Sequence, residues 1–180
     1  MNSDIWDRYL TILTADFGVE PYAFDHLNDA LAFIHKCDID KQGKTFLDIG
    51  CCNTYLKGKL QSIWVGIELA HTHNPNISQG DIHCLENIQS EFADIVFASH
   101  VLEHTLAPIV ALFEMKRVMK HNGDMIIVLP VYPGYMYNGH NYMMPAESWI
   151  HLFKRVELKI EHRQDNSKND TVVFHLKNDK

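Results

Sequence analysis

The stretch FLDIGCCNTYL, residues 46–56, decides how the rest of the chain is read. An apolar run that closes on Asp48 and Gly50 has the pattern of a buried strand entering a tight turn. At the carboxyl end of a parallel strand, such a turn presents its backbone groups to a nucleoside or phosphate. Two positions depart from this pattern: Cys52 and Thr54 stand where a turn of this kind ordinarily has glycine. A side chain at Cys52 opposes a positive φ and narrows the space beside the turn. Pointing away it is harmless; pointing inward it overpacks by about 1–3 kcal/mol, roughly a ten- to hundredfold loss of affinity.

Outward from this turn the same strand signature recurs. IWVGIE, NISQGDI and FADIVFA are short apolar runs that end in glycine, an acid or a small polar residue, and DMIIVLP follows later. They read as parallel strands buried on both faces. LAPIVALFEMKRVMKHNG reads as a helix, with Pro108 in its first turn and Leu106, Ile109, Val110 and Phe113 on one side. Lys120 and His121 are expected near its negative end, with Gly123 as the left-handed stop. Only Leu69 to Asn76 joins the second strand to the third, too short for the usual crossover helix. PVYPGYMYNGHNYMMP is a long loop and a candidate binding segment, and PAESWIHLF a short helix. At the end, Val156, Leu158 and Ile160 alternate with charged residues and TVVFHL follows a polar turn, which predicts an antiparallel edge hairpin. At the start, Ile5, Trp6, Tyr9, Leu10 and Leu13 make one helical face, and Leu27, Ala30, Leu31 and Ile34 a second.

With 180 residues and 46% hydrophobic content, one domain is expected over residues 1–180, an N-terminal helical cap (1–40) on a core (44–180). The net charge of −7 disfavours nucleic acid as a partner. Neither a basic start with an apolar core nor a run of membrane-spanning length is present, so a soluble, cytoplasmic protein without a membrane partner is expected. Cys37, Cys51, Cys52 and Cys84 lack CxxC spacing; they are expected as buried free thiols, and a structural zinc site is not expected.

Ligands of open parallel sheets bind outside the carboxyl ends of the strands. Asp48, Glu68, Asp81 and Ser99 all fall at such ends, and Glu68 is placed where an acid commonly takes a pair of ribose hydroxyls. In this order the chain resembles a class I S-adenosylmethionine-dependent methyltransferase, of the small type with LEH after the fourth strand, over roughly residues 44–150. FLDIGC resembles the first motif of that family, VGIE its second strand and QGDI its adenine loop. FADIVFASHVLEH resembles its fourth strand, and FEMKRVMKHNGDMIIVLP its fifth strand with the preceding helix. The resemblance implies an α/β fold, a Rossmann-like three-layer sandwich. Its mostly parallel seven-stranded sheet would end in the antiparallel C-terminal hairpin, and two helices would lie at the N-terminus. It also implies S-adenosyl-L-methionine as cofactor. Gly50 and Cys51, with Cys52 in the departed glycine position, would lie against its methionine part, Glu68 on the ribose, Asp81 and Ile82 at the adenine, and Ser99 near the amine.

His100, Glu103 and His104 spell H-x-x-E-H, an inverted zinc-protease signature on a long helix, but here the string straddles a strand end. It also resembles the E-x-x-E-H of small-RNA 2′-hydroxyl and some ubiquinone-pathway O-methyltransferases, which hold a divalent ion. His100 replaces the first Glu, and His140 would add a fourth, softer ligand. Whether a metal binds is left open. The alternative is a proton-accepting role for His104 or His140 toward the methyl acceptor. Tyr135, Tyr137 and Tyr142 either line that pocket or pack on the domain. The expected activity is methyl transfer to an O or N nucleophile of a small or medium-sized molecule. The alternative is a catalytically silent binding module of the same fold, while a dinucleotide oxidoreductase lacks its GxGxxG. Oligomeric state is left open.

Overall fold

The computed structural model describes residues 23–70, 73–131, 140–168 and 170–178. The expected helix around Trp6 and Leu10, and Tyr135 and Tyr137, lie outside them. The elements run α1 (Ala23–Lys36), β1 (Thr45–Ile49), β2 (Ile63–Glu68), β3 (Ile77–Gln79), β4 (Ala93–Ser99), a 3₁₀ turn (Leu102–His104), α2 (Pro108–Val118), β5 (Met119–Pro130), α3 (Ala146–Arg155), β6 (Lys159–Asn166) and β7 (Thr171–Lys177). The seven strands form one sheet in the order β3-β2-β1-β4-β5-β7-β6. β1 to β5 pair in parallel, whereas β7 is antiparallel to both β5 and β6.

Three layers result. On one face, Ala30, Phe33 and Ile34 of α1 pack on Phe46, Ile95, Phe97, Ile126, Val128 and Val173. On the other, α2 and α3 bring Leu112, Met115, Trp149 and Phe153 onto Leu47, Val96, Ile127 and Phe174. No helix joins β1 to β2, β2 to β3 or β3 to β4 among the described residues, so the short second crossover is a genuine feature of the fold. No helix among them is long and apolar enough to cross a membrane.

Three expectations are corrected. Helix α2 buries Pro108, Ala111, Leu112, Met115 and Val118, leaving Leu106, Val110 and Phe113 exposed at 49%, 43% and 53%. Both of its faces are apolar, so periodicity alone does not choose between them; small Ala111 lets the helix come close to the sheet. The helix also stops at Val118, because Met119 is already extended (φ −79°, ψ 134°), which puts Lys120, His121 and Gly123 in β5. The left-handed residue there is Asn122 (φ 57°). Lastly, all four cysteines are free, but only Cys51 is buried; Cys37 is half-buried, and Cys52 and Cys84 are exposed.

Candidate functional site

At the end of β1 the chain turns at Gly50 (φ 70°), whose N–H donates to the Ile67 carbonyl at 2.8 Å. A Cβ on Gly50 would lie 2.4 Å from Val101 Cγ2, so both conformation and space demand glycine. Cys52 follows in the left-handed region (φ 52°), which for a residue with a Cβ costs on the order of 1–2 kcal/mol. Its thiol points back toward the Gly50 carbonyl, with Sγ 3.7 Å from that oxygen. Its N–H donates to Glu68 Oε2 at 2.8 Å, while the Leu69 N–H donates to Glu68 Oε1 at 2.8 Å. The acid at the end of β2 thus ties the two loops of the rim together.

Beneath this turn Asp48 is 4% exposed and accepts from Trp64 Nε1 at 2.9 Å. Burial pushes its carboxyl up to about 7, against the pull of the Trp64 hydrogen bond. Ser99, at the end of β4, has a buried hydroxyl with no hydrogen-bond partner among the described residues. Asp48, Gly50, Cys51, Cys52 and Ser99 line one cavity of about 60 Å³, walled on the far side by His26 and Leu27 of α1. Asp81 and Ile82 stand one strand further along, after Gly80, whose N–H donates to the Glu68 carbonyl at 2.9 Å. Asp81 accepts from the His83 backbone at 3.0 Å and meets His83 Nδ1 at 2.8 Å. Burial would raise its pKa, but these His83 contacts outweigh it and hold the carboxyl below its usual range.

Beyond Ser99 the backbone is strained again at His100 (φ 54°), and the 3₁₀ turn carries Glu103 into the interior at 0% exposure. Both carboxylate oxygens of Glu103 are buried, and their contacts are with imidazoles. Three imidazoles surround it: His100 Nδ1 at 3.2 Å, His140 Nε2 at 3.9 Å and His104 Nε2 at 4.0 Å from Oε1. Burial opposes its charge, yet His100 and His104 hold its pKa below the ordinary value. His140 is placed by its own segment, since the Asn141 and Tyr142 N–H groups donate to the Glu103 carbonyl at 2.8 and 3.0 Å. The Tyr142 hydroxyl donates to the Leu106 carbonyl at 2.9 Å, so that side chain packs on the domain. Burial, ahead of the opposing Glu103 charge, lowers the His140 pKa to about 4, leaving a neutral ring at pH 7. Glu103, His104 and His140 each offer one ligand atom within 4.8 Å of the others, a spacing that also suits a cation.

The residues read from the sequence therefore fall into a turn-and-cavity group (Asp48, Gly50, Cys51, Cys52, Glu68, Ser99) and a histidine group around Glu103, with Asp81 and Ile82 apart. His26 and Phe97 are among the cavity residues that strand-end motifs do not mark. His26 lines the cavity, lies with its ring 4.4 Å from that of His100 and has its pKa lowered to about 3, by burial first and His100 next. Its only sequence signal is a polar residue one turn before Ala30 on an apolar helix face. Phe97, inside β4, forms part of the cavity wall but reads simply as core.

A methyltransferase-domain family model matches residues 47–127. No curated protein matches the sequence. Among solved structures, Burkholderia thailandensis 1,6-didemethyltoxoflavin-N1-methyltransferase, with bound 1,6-didemethyltoxoflavin and S-adenosylhomocysteine, superposes at TM-score 0.75 and 12% identity, covering 97% of this chain and 90% of that one. A chain from the complex of the Haloferax volcanii Trm112 methyltransferase activator with a candidate methyltransferase gives TM-score 0.75 at 13% identity, covering 96% and 97%. The [4+2]-cyclase SpnF gives 0.69 at 14%, covering 85% and 80%.

Proposed function

We propose that the protein, whose residues 47–127 match a methyltransferase-domain family model, transfers a methyl group from S-adenosylmethionine to an O or N nucleophile of a small or medium-sized molecule. The observation that carries this reading is the Ser99 hydroxyl, buried without a partner among the described residues, in the lining of the same cavity as Asp48 and the Gly50 turn. A buried polar group without a partner costs about 1–3 kcal/mol, which a ligand's polar group removes. The residues fit the cofactor: Ser99 toward its amine, the Gly50–Cys51 backbone against its methionine part, and Glu68 toward its ribose. Asp81 and Ile82 are the adenine-side candidates.

The cavity of about 60 Å³ is smaller than the roughly 300–1,000 Å³ of ordinary ligand sites. Admission of the cofactor therefore requires the rim to move. The Cys52 N–H to Glu68 contact is the latch to release, since the same carboxylate then becomes free to accept from ribose hydroxyls.

When bound, the cofactor supplies a carbon activated by its sulfonium, so this chain contributes alignment and proton handling. His140 is the candidate base and His104 the second. A neutral His140 accepts the proton of an alcohol, phenol or amine, and the Glu103 carboxylate 3.9 Å away stabilises the imidazolium that forms. A cation among Glu103, His104 and His140 is the second reading, favoured by a fully buried carboxylate whose ligand atom lies within 4.8 Å of those of both histidines. Metal analysis of tag-free protein separates the two, because a stoichiometric ion removed by Glu103→Gln supports the cation. The domain-level reading is tested by thermal melting with S-adenosylmethionine and S-adenosylhomocysteine. A ligand selective for the folded state raises stability by about 2.7 kcal/mol at one hundred times its Kd. A melting temperature unmoved by either compound would instead leave a silent binding module.

A further inference from the structure

A second concentration of ligand-type side chains lies far from the cofactor rim, toward the amino end of β5, on the face that α1 covers. Cys37 follows the last turn of α1, and its N–H donates to the Phe33 carbonyl at 3.0 Å. His162 of β6 and His175 of β7 are cross-strand partners whose rings lie 5.5 Å apart. The three offer ligand atoms within 4.8 Å of one another.

Two features of the fold assemble this group. The first is a bulge in β6. Lys159 pairs with Lys177 and Ile160 with Leu176, after which the register slips so that His162, not Glu161, meets His175. Without the extra residue, His162 would point to the opposite face, because side chains alternate along a strand. The second is the state of His175 itself, whose side chain is 6% exposed. Its Nε2 meets Asp124 Oδ1 at 2.6 Å, which fixes the proton on that nitrogen, and its Nδ1 is buried with no partner among the described residues. A carboxylate holding one ring nitrogen while the other keeps its lone pair is the arrangement that orients metal-binding histidines. Lys177 Nζ, 2.7 Å from the same Asp124 oxygen, is the nearby cation, and that carboxylate compensates it.

We propose that Cys37, His162 and His175 form a site for a borderline-soft divalent ion, Zn²⁺ by its sulfur and nitrogen ligand set, with Asp124 as the residue that positions His175. Cys37 binds as the thiolate and releases one proton for each ion taken up. Water completes the coordination on the exposed His162 side. The ion clamps the end of α1 to the β6–β7 hairpin, and α1 carries the His26 and Leu27 that wall the cofactor cavity. The site thus ties the metal to the set of the cavity wall, independently of whether the rim transfers a methyl group.

The test uses tag-free, metal-stripped full-length protein titrated with Zn²⁺ against a chromophoric chelator, with Co²⁺ as a spectroscopic stand-in. One equivalent is expected to bind, with a thiolate-to-cobalt charge-transfer band. Both signals are expected to disappear in Cys37→Ser, and Zn²⁺ affinity to fall at least about tenfold in His162→Ala, whose exposed edge position keeps the variant folded by circular dichroism. Asp124→Asn should weaken binding by about 10–100-fold, as loss of an orienting carboxylate does elsewhere. Absence of a tight equivalent would overturn the proposal. So would an equivalent that persists in both Cys37→Ser and His162→Ala and is lost in His140→Ala, which would place the ion at Glu103.

Discussion

The acids at the two ends of the sheet differ in how strongly their surroundings favour the charged form. At the amino end each carboxylate is engaged. Asp40 accepts from the Gln61 and Ser62 N–H groups at 2.7 and 2.8 Å and from the Ser62 hydroxyl at 2.6 Å. Asp94 accepts from the Thr45 N–H at 2.9 Å and Lys120 Nζ at 2.8 Å. Asp124 holds His175 and Lys177. At the carboxyl end, Asp48 accepts from Trp64 Nε1 yet burial raises its pKa to about 7, and the fully buried Glu103 faces three imidazoles at 3.2, 3.9 and 4.0 Å. Left-handed backbone occurs at both ends, at Asp38, Glu91 and Asn122 as well as at Cys52 and His100, so the contrast lies in the acids, where the charge disfavoured by burial at Asp48 is the one a ligand is expected to relieve.

The sharpest way to break this contrast is at the rim's histidines. His140→Ala is expected to lower the methyl-transfer rate by about 10²–10⁴-fold, the usual contribution of a positioned base, while cofactor affinity changes by less than about threefold. A rate that survives the substitution would leave the acceptor's proton to solvent and remove His140 from the chemistry.

Next in size is one substitution made at both ends. Asp48→Asn keeps an acceptor for Trp64 and removes a buried charge. Because the folded-state pKa of Asp48 is raised from 3.8 to about 7, its contribution is favourable in acid and is lost as pH rises between those values. The variant should therefore match the parent near pH 4 and exceed it at pH 8, by on the order of 4 kcal/mol at most. Asp40→Asn, which turns an amide N–H group toward one of its backbone donors, should lose about 1–2 kcal/mol instead. Denaturant melts at both pH values read the signs, and equal signs would erase the distinction between the ends.

The smallest effect concerns the cysteine in the turn after β1. Cys52→Gly removes the left-handed penalty and should add about 1 kcal/mol of stability and tighten S-adenosylhomocysteine modestly. Equal affinity and equal stability by calorimetry would show that the cysteine is neutral at this position.

Much of the rim could be read from the sequence because strand ends are local features. Thr45–Ile49 and Ile63–Glu68 fall where the apolar runs end, which carries Asp48, Gly50 and Glu68 to the turns. The alternating C-terminus and the missing second crossover were legible for the same reason. What escaped were properties of packing between distant segments. Both stripes of α2 are apolar, so its buried face is chosen by fit to the sheet. His26 reaches the cavity only because α1 docks on the sheet, over β5 and β7. Cys37, His162 and His175 have no telling spacing; a one-residue bulge and a docked helix bring them together.

The central claim, that the carboxyl rim opens to receive S-adenosylmethionine, is tested most directly by titration calorimetry of S-adenosylhomocysteine into the parent protein, Glu68→Ala and Ser99→Ala. The account predicts one-site binding to the parent, weakened about tenfold or more in Glu68→Ala and to a smaller extent in Ser99→Ala. Heat of binding that is absent in the parent, or unchanged in both variants, would contradict it.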